Sequence, residues 1–256
     1  MFYGEAVAAA YVRGRRLRTV DIGRWMDAAL PYLPGAEGRI LDLGAGTGRF
    51  TVALADATAA RVVACEPSAA MRAAGRAAVA AEDRPPASGG IAVVGGAAEA
   101  MPFGDGAFDA VWASQMIHHV VDLPAFAGDL RRVLKAGGHA LLRGGFGPAD
   151  RLPLFRYFPE AWAAGTAAML ALDTIGDEFA RAGLVEVAHV LVEQTVADTP
   201  GALVERVATR SLSPLAQLSD DVFERGLRSL ADDARLGHLP SPVTERLDLV
   251  VFRSAR

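Results

Sequence analysis

Between residues 39 and 143, short apolar runs alternate with longer stretches in which apolar positions recur every three or four residues. The runs predict strands over 39–43, 61–66, 91–94, 108–114 and 138–143. The stretches between them predict helices from Gly48 to Ala57, Ser68 to Ala81 and Leu123 to Leu134, with Ser68 placed to cap the second and Gly137 to stop the third. Such alternation implies an α/β fold, a parallel sheet doubly wound by helices on both faces. Arg84 to Gly90, rich in proline and glycine, reads as a loop. Past residue 143 the rhythm changes to a helix near Thr174 to Ala182, a strand near Val185 to Glu193 and a last strand near Leu247 to Arg253.

Two segments, Gly144 to Asp173 and Thr195 to Thr244, exceed what the sheet needs. Extra chain at the carboxyl ends of parallel strands is where ligands bind in such folds. The first contains Leu154-Phe155-Arg156-Tyr157-Phe158-Pro159, whose aromatic density suits a pocket wall. The second reads as helices over Pro200 to Arg210 and Asp220 to Leu236, with Ser219 as a cap for the latter. A further helix, Glu5 to Arg18, would add a lid through Tyr3, Tyr11 and Arg15. At 256 residues the expectation is one domain: a helical lid over 1–36, a ligand-binding core over 37–145, and the rest of the sheet with its cap over 146–256.

The core's chemistry starts at Ile40-Leu41-Asp42-Leu43-Gly44-Ala45-Gly46-Thr47-Gly48-Arg49-Phe50, a buried strand running into a glycine loop and then a helix. Gly44, Gly46 and Gly48 let the backbone turn tightly and approach a ligand, and Thr47 can start the helix whose N–H groups face the site. A second apolar strand ends in Glu66, where a carboxylate can accept from two ribose hydroxyls. A dinucleotide fingerprint would place a third glycine where Arg49 stands, and Asp42 just before the loop would repel a pyrophosphate but suit a cation. With Glu66-Pro67-Ser68, the loop resembles motif I and the acidic ribose loop of class I S-adenosylmethionine (AdoMet) dependent methyltransferases.

Further matches follow in that family's order. Gly96-Ala97-Ala98-Glu99-Ala100-Met101-Pro102-Phe103 and Asp105-Gly106-Ala107-Phe108-Asp109-Ala110-Val111 resemble the adenine loop and fourth strand of the subfamily that includes ubiquinone and menaquinone biosynthesis enzymes. Ser114-Gln115-Met116-Ile117-His118-His119 resembles the segment after that strand. Arg131-Arg132-Val133-Leu134-Lys135-Ala136-Gly137-Gly138 resembles its helix-to-strand turn, with Ala136 where proline is usual. The resemblance covers residues 37 to 145.

It implies a Rossmann-like seven-stranded sheet with an antiparallel last strand, AdoMet as cofactor and S-adenosylhomocysteine (AdoHcy) as product. Gly44, Ala45 and Gly46 would cradle the cofactor and Glu66 hold its ribose. Asp42 would orient the loop or meet the amino-acid part of AdoMet through water. Pro67 and Met71 resemble contacts to the adenosine faces, with core packing as the rival role. Ala97 stands where many relatives place an aspartate, which leaves Ala98 and Glu99 to define the adenine site. Ser114, Tyr11 and Arg15 complete the expected cofactor set. His118 and His119 occupy a place where some relatives use histidine as a base; two adjacent side chains cannot both point the same way, so one is expected to face the substrate and the other to pack inward. Phe155, Arg156 and Tyr157 are the expected substrate contacts, and Arg143 could position an anionic or phenolic group.

The implied activity is methyl transfer to oxygen, nitrogen or carbon of a small molecule, a secondary metabolite or cofactor precursor. The same motifs would serve an AdoMet-binding enzyme that catalyses a rearrangement or cyclisation without methylating; a nicotinamide-dependent oxidoreductase and a non-catalytic scaffold are further alternatives. Composition narrows the partners. A net charge of −4 argues against a basic nucleic-acid surface, and neither an Asn/Asp-Pro-Pro-aromatic motif after Val111 nor a Pro-Cys nucleophile is present. The single cysteine, Cys65, reads as a small buried hydrophobe, and no Cys/His cluster has metal spacing. The start lacks a charged segment followed by an apolar core, and the longest apolar helical stretch, around Ala161 to Leu172, is too short to span a bilayer. The expectation is a cytoplasmic monomer or homodimer with no membrane or nucleic-acid partner and no metal.

Overall fold

The computed structural model of the protein describes residues 17–81, 90–146, 152–166, 171–210 and 213–255. Seven strands form one sheet in the order β3-β2-β1-β4-β5-β7-β6. They are β1 (Arg39–Leu43), β2 (Arg61–Cys65), β3 (Ile91–Val94), β4 (Phe108–Ser114), β5 (Leu134–Gly144), β6 (Leu184–Ala197) and β7 (Val243–Ser254). The first five are parallel, and β7 runs antiparallel between β5 and β6. This is the Rossmann-like arrangement with an antiparallel last strand that the motifs imply.

Strand alternation divides the core between two faces. Leu41, Leu43, Val63, Val111, Ala113, Leu142, Val250 and Phe252 pack against α4 (Leu123–Val133) through Phe126 and Leu130, and against α7 (Leu172–Arg181) through Ile175 and Phe179. Ile40, Val62, Ala110, Trp112, Leu141, Leu249 and Val251 pack on the other face against α1 (Thr19–Ala29) and α2 (Thr51–Thr58). Each fully buried Leu, Ile or Phe contributes about 1.5–3 kcal/mol of burial, so the sheet is held from both sides.

Several boundaries differ from the sequence reading for local reasons. Helix α2 begins at Thr51, not at Thr47 or Gly48, because Gly48 has φ +78° and keeps the loop turning past the expected start. Helix α3 (Ala69–Ala80) is capped as expected, Ser68 Oγ accepting from the Met71 N–H at 3.3 Å. Gly137, also at φ +78°, does not cap α4, which ends four residues earlier at Val133; it turns the chain at the start of β5. Strands β6 and β7 overrun their apolar runs because they pair as a ribbon through Gln194↔Glu245 and Thr195↔Thr244, polar positions joined by ladder bonds although Gln194 and Thr195 are themselves buried.

The expected helix from Glu5 to Arg18 lies outside the described residues except for its last two; α1 follows it within the proposed lid segment. Its pattern was weak because Asp21 occupies a buried position, where it pairs with Arg18 at 2.9 Å and Arg24 at 3.2 Å. The cap consists of α5 (Pro153–Tyr157), α6 (Pro159–Thr166), α8 (Pro200–Ala208), α9 (Ser213–Ala216) and α10 (Asp220–Arg235). Tyr157, Phe158, Leu203, Val207, Phe223 and Leu230 give it a core of its own. Ser219 precedes α10 with an extended backbone, but its hydroxyl makes no capping bond. Among the described residues no helix is long and apolar enough to cross a membrane.

Candidate cofactor and active site

The glycine loop is tied to the end of β2 by its own amides. Gly44 and Ala45 N–H donate to the Cys65 carbonyl at 2.8 and 3.1 Å. The Glu66 carboxylate accepts from Gly46 N–H at 3.0 Å and from Ser68 N–H at 2.8 Å, one oxygen each. A carboxylate offers about four acceptor positions, so capacity remains for two further donors. Gly44 has φ +66°, and a Cβ there would lie 2.8 Å from Met116 Cβ; no side chain fits. Gly46 has φ +59°, and a Cβ on it would meet nothing within 4 Å: this face of the loop is open. A small cleft beside it is lined by Gly46, Thr51, Glu66 and Gly75.

Two residues that support this loop carried no motif signal. Gly75 brings α3 against the loop backbone, where a Cβ would sit 3.4 Å from the Gly46 oxygen. Arg72 donates through Nη1 to the Glu66 and Pro67 carbonyls, both at 2.7 Å, and clasps the acidic turn. Their spacing from Ser68, on the helix that follows the acidic turn, was the available signal.

Asp42 is 2% exposed and accepts from Thr51 Oγ1 at 2.6 Å. Burial pushes its carboxyl up to about 7, the Thr51 bond opposes that rise, and the charge of Glu66 adds to it. The charge of Glu66, joined by that of Asp42 as its carboxyl ionises, favours a cationic ligand on this side of the open loop and disfavours a pyrophosphate. The donor set, the open Gly46 face and the remaining acceptor capacity of Glu66 fit AdoMet.

The other expected residues are less uniform. Pro67 is exposed at the tip of the acidic turn, whereas Met71 is buried. Ala98 is half-buried against the α4 side of the core. Glu99 Oε1 accepts from Val121 N–H at 2.9 Å and so ties the adenine loop to the turn after β4. Ser114 Oγ accepts from Arg143 Nη1 at 3.1 Å. His118 and His119 lie in a 3-10 turn, Ile117–His119, with rings 4.0 Å apart and 49° between planes. Both are exposed, unlike the expected inward and outward pair, because Ile117 takes the buried position of the turn. Tyr3, Tyr11 and Arg15 lie outside the described residues.

Phe155 is half-buried with its ring 5.1 Å from Trp162. The buried Tyr157 donates its hydroxyl to Asp233 at 2.8 Å, and burial first, then that carboxylate, pushes the phenol up to about 12. Arg156 is exposed and 3.7 Å from the same Asp233, which also meets His238 at 3.1 Å. The polar ends of Arg156 and Tyr157 therefore brace α5 against α10 within the cap. Cys65 is buried at the end of β2, and burial pushes its thiol up to about 11. Among the described residues no group of three or more His, Cys, Asp or Glu side chains could hold a metal ion.

Comparison with known proteins agrees with this geometry. A family described as "Methyltransferase domain" matches residues 41–142. A demethylmenaquinone methyltransferase of Clavibacter sepedonicus is 38% identical over 140 residues, 54% of each chain, so the match spans about half the length of that relative. An uncharacterized methyltransferase of Mycobacterium tuberculosis is 32% identical over 238 residues, 92% of this chain and 88% of the relative. Among solved structures the [4+2]-cyclase SpnF shares the fold, with a TM-score of 0.62 and 18% identity over 94% of this chain and 84% of that one. The full-length relative, the matched domain and the acidic cradle around Gly46 place the chain in the family of class I AdoMet-dependent methyltransferases.

Proposed function

We propose that the protein transfers the methyl group of AdoMet to an oxygen, nitrogen or carbon atom of a small molecule, a secondary metabolite or cofactor precursor. The observation that carries this reading is the Glu66 carboxylate, fixed by the Gly46 and Ser68 amides beside the open face of Gly46. When bound, AdoMet supplies an electrophilic methyl group on a sulfonium. The chain's own task is then alignment, which can contribute roughly 7–11 kcal/mol through effective molarity, against the about 10²–10⁴-fold of a general base.

In this reading Glu66 takes the ribose hydroxyls, and Gly44, Ala45 and Gly46 admit close approach of the ligand. Asp42 supplies negative potential beneath the loop. Pro67, Ala98 and Glu99 border the adenine, and Ser114, Tyr11 and Arg15 border the amino-acid end. His118 or His119 takes the acceptor's proton where the acceptor must lose one. Phe155 supports an apolar wall for that acceptor, its ring being half-buried without a polar tie of its own. The protein is read as acting in the cytoplasm, alone or as a homodimer.

A second reading, rearrangement or cyclisation without methylation, is supported by the fold shared with a [4+2]-cyclase. Calorimetric titration with AdoHcy, AdoMet and NAD tests the cofactor, and an acceptor screen that measures AdoHcy release tests the reaction. Adenosyl ligands binding without an NAD response, followed by AdoHcy release with one acceptor, supports methyl transfer. Turnover that needs AdoMet yet releases no AdoHcy supports the second reading, and binding of NAD alone overturns both. With an acceptor in hand, full turnover of His118→Ala and His119→Ala across pH would remove both histidines as bases.

A further inference from the structure

Arg143, near the end of β5, is 2% exposed and surrounded by groups from several other elements. Its guanidinium carbon lies 4.3 Å from the centre of the Trp25 ring on α1 and 5.2 Å from the Phe50 ring just before α2. Nη1 donates to Ser114 Oγ at 3.1 Å, and Nη2 donates to Gln194 Oε1 at 2.5 Å. Trp25 Nε1–H donates to the same Gln194 oxygen at 2.9 Å, while Gln194 Nε2 donates to Glu245 at 2.6 Å. The main chain joins in: the Arg143 carbonyl accepts from Gln115 N–H at 2.7 Å. Gln115 has φ +49°, a left-handed conformation that a non-glycine residue keeps only where its surroundings hold it.

We infer that Arg143 is a positioning residue that couples helix α1 to occupancy of the glycine loop and to the exit of β4. The inference rests on the AdoMet reading of that loop. A ligand held at Gly44 to Gly48 fixes Phe50, two residues further on. Phe50 and Trp25 flank one guanidinium, so settling the first ring settles the second and with it α1. The same guanidinium grips Ser114, and its residue's carbonyl holds Gln115, which leads directly to His118 and His119. The geometry requires a planar fork, because the two Nη atoms serve acceptors on different strands; an ammonium carries the charge but not the fork. Arg18 secures the other end of α1 through Asp21 and Asp198, both at 2.9 Å, and does so without reference to the loop.

Hydrogen–deuterium exchange on the full chain, with and without saturating AdoHcy, tests the coupling. In the native protein AdoHcy should slow exchange at least tenfold both in the loop peptides, Gly44 to Phe50, and in α1. In Arg143→Met the loop should still respond while the slowing in α1 falls below twofold. Arg143→Lys, which keeps the buried positive charge, should show the same loss and serves where the methionine variant fails to fold. A merely structural arginine would change the stability of the variants but leave α1 responding to AdoHcy as in the native protein, and that result overturns the inference. So does a native protein whose loop responds while α1 does not. A native loop that shows no response to AdoHcy refutes the cofactor reading itself, together with the coupling built on it.

Discussion

Replacing Asp42 by asparagine should invert the sign of its effect on stability across the neutral range. The carboxyl is buried, and its position near 7 against an ordinary 3.8 means that the folded protein holds this proton longer than the unfolded chain does. Between those two values the folded state binds more protons, so stability falls as pH rises through the window and is level above it. A difference of about three units corresponds to about 4 kcal/mol of stability present in acid and lost by pH 8. Asparagine removes that loss and can still accept from Thr51, but it buries an amide N–H₂ whose unmet bonds cost about 1–3 kcal/mol. Asp42→Asn should therefore be about 1–3 kcal/mol more stable than the native protein at pH 8 and no more stable, or less, at pH 4.5. Urea unfolding of both proteins at half-unit intervals from pH 4.5 to 8.5 would trace the two profiles. Parallel profiles, with a constant difference throughout, would refute a titration of Asp42 near neutrality.

Glu66→Ala removes the acceptor for the Gly46 and Ser68 amides as well as the expected ribose contact. With charge-assisted bonds worth roughly 1.5–3 kcal/mol each, AdoHcy affinity should drop more than tenfold, and an unchanged calorimetric constant would remove Glu66 from the site. Gly44→Ala and Gly46→Ala should part company. Both pay about 1 kcal/mol for a left-handed alanine, but only the first also meets Met116, so thermal unfolding should show it as the less stable variant. Gly46→Ala should lose AdoHcy binding because its methyl occupies the open face, and native-like binding would show that the ligand lies elsewhere. Tyr157→Phe should cost about 1 kcal/mol in urea unfolding through the lost bond to Asp233 while leaving AdoHcy affinity intact, and a large loss of affinity would contradict its place within the cap.

The parallel half of the sheet was legible because β1, β2 and β4 are short, mostly apolar runs, and the loop because three glycines at alternate positions have few structural uses. The continuations of β6 and β7 were not, since Gln194, Thr195, Thr244 and Glu245 pair by ladder bonds and leave no apolar signature. Helix α1 was hidden by a buried aspartate that only its ion pairs explain. At the site, Glu66 and Gly46 could be read directly, whereas Arg72 and Gly75 show their roles only once α3 is laid against the loop. The Arg143 cluster draws on residues 25, 50, 114, 194 and 245, too far apart in the chain for spacing to reveal them. The aromatic stretch at Phe155 to Tyr157 suggested a pocket wall, but its composition is equally that of a small core, and two of its three side chains turn to Asp233.

The antiparallel placement of β7 between β5 and β6 sets the strands that carry the glycine loop apart from those that carry the cap. Among the described residues, those that support the loop, from Asp42 to Met116, lie in one half of the chain, while the cap helices lie in the connections that follow β5 and β6. Helices α8 to α10, between β6 and β7, have a core of their own and can thus be lengthened or exchanged, whereas α7, between β5 and β6, belongs to the main core through Ile175 and Phe179. What a transplanted cap must reproduce is the joint: a glutamine at the position of Gln194, facing Arg143 on β5. Chimeras that keep this pair are the ones expected to retain α1 and the cofactor loop in their native arrangement.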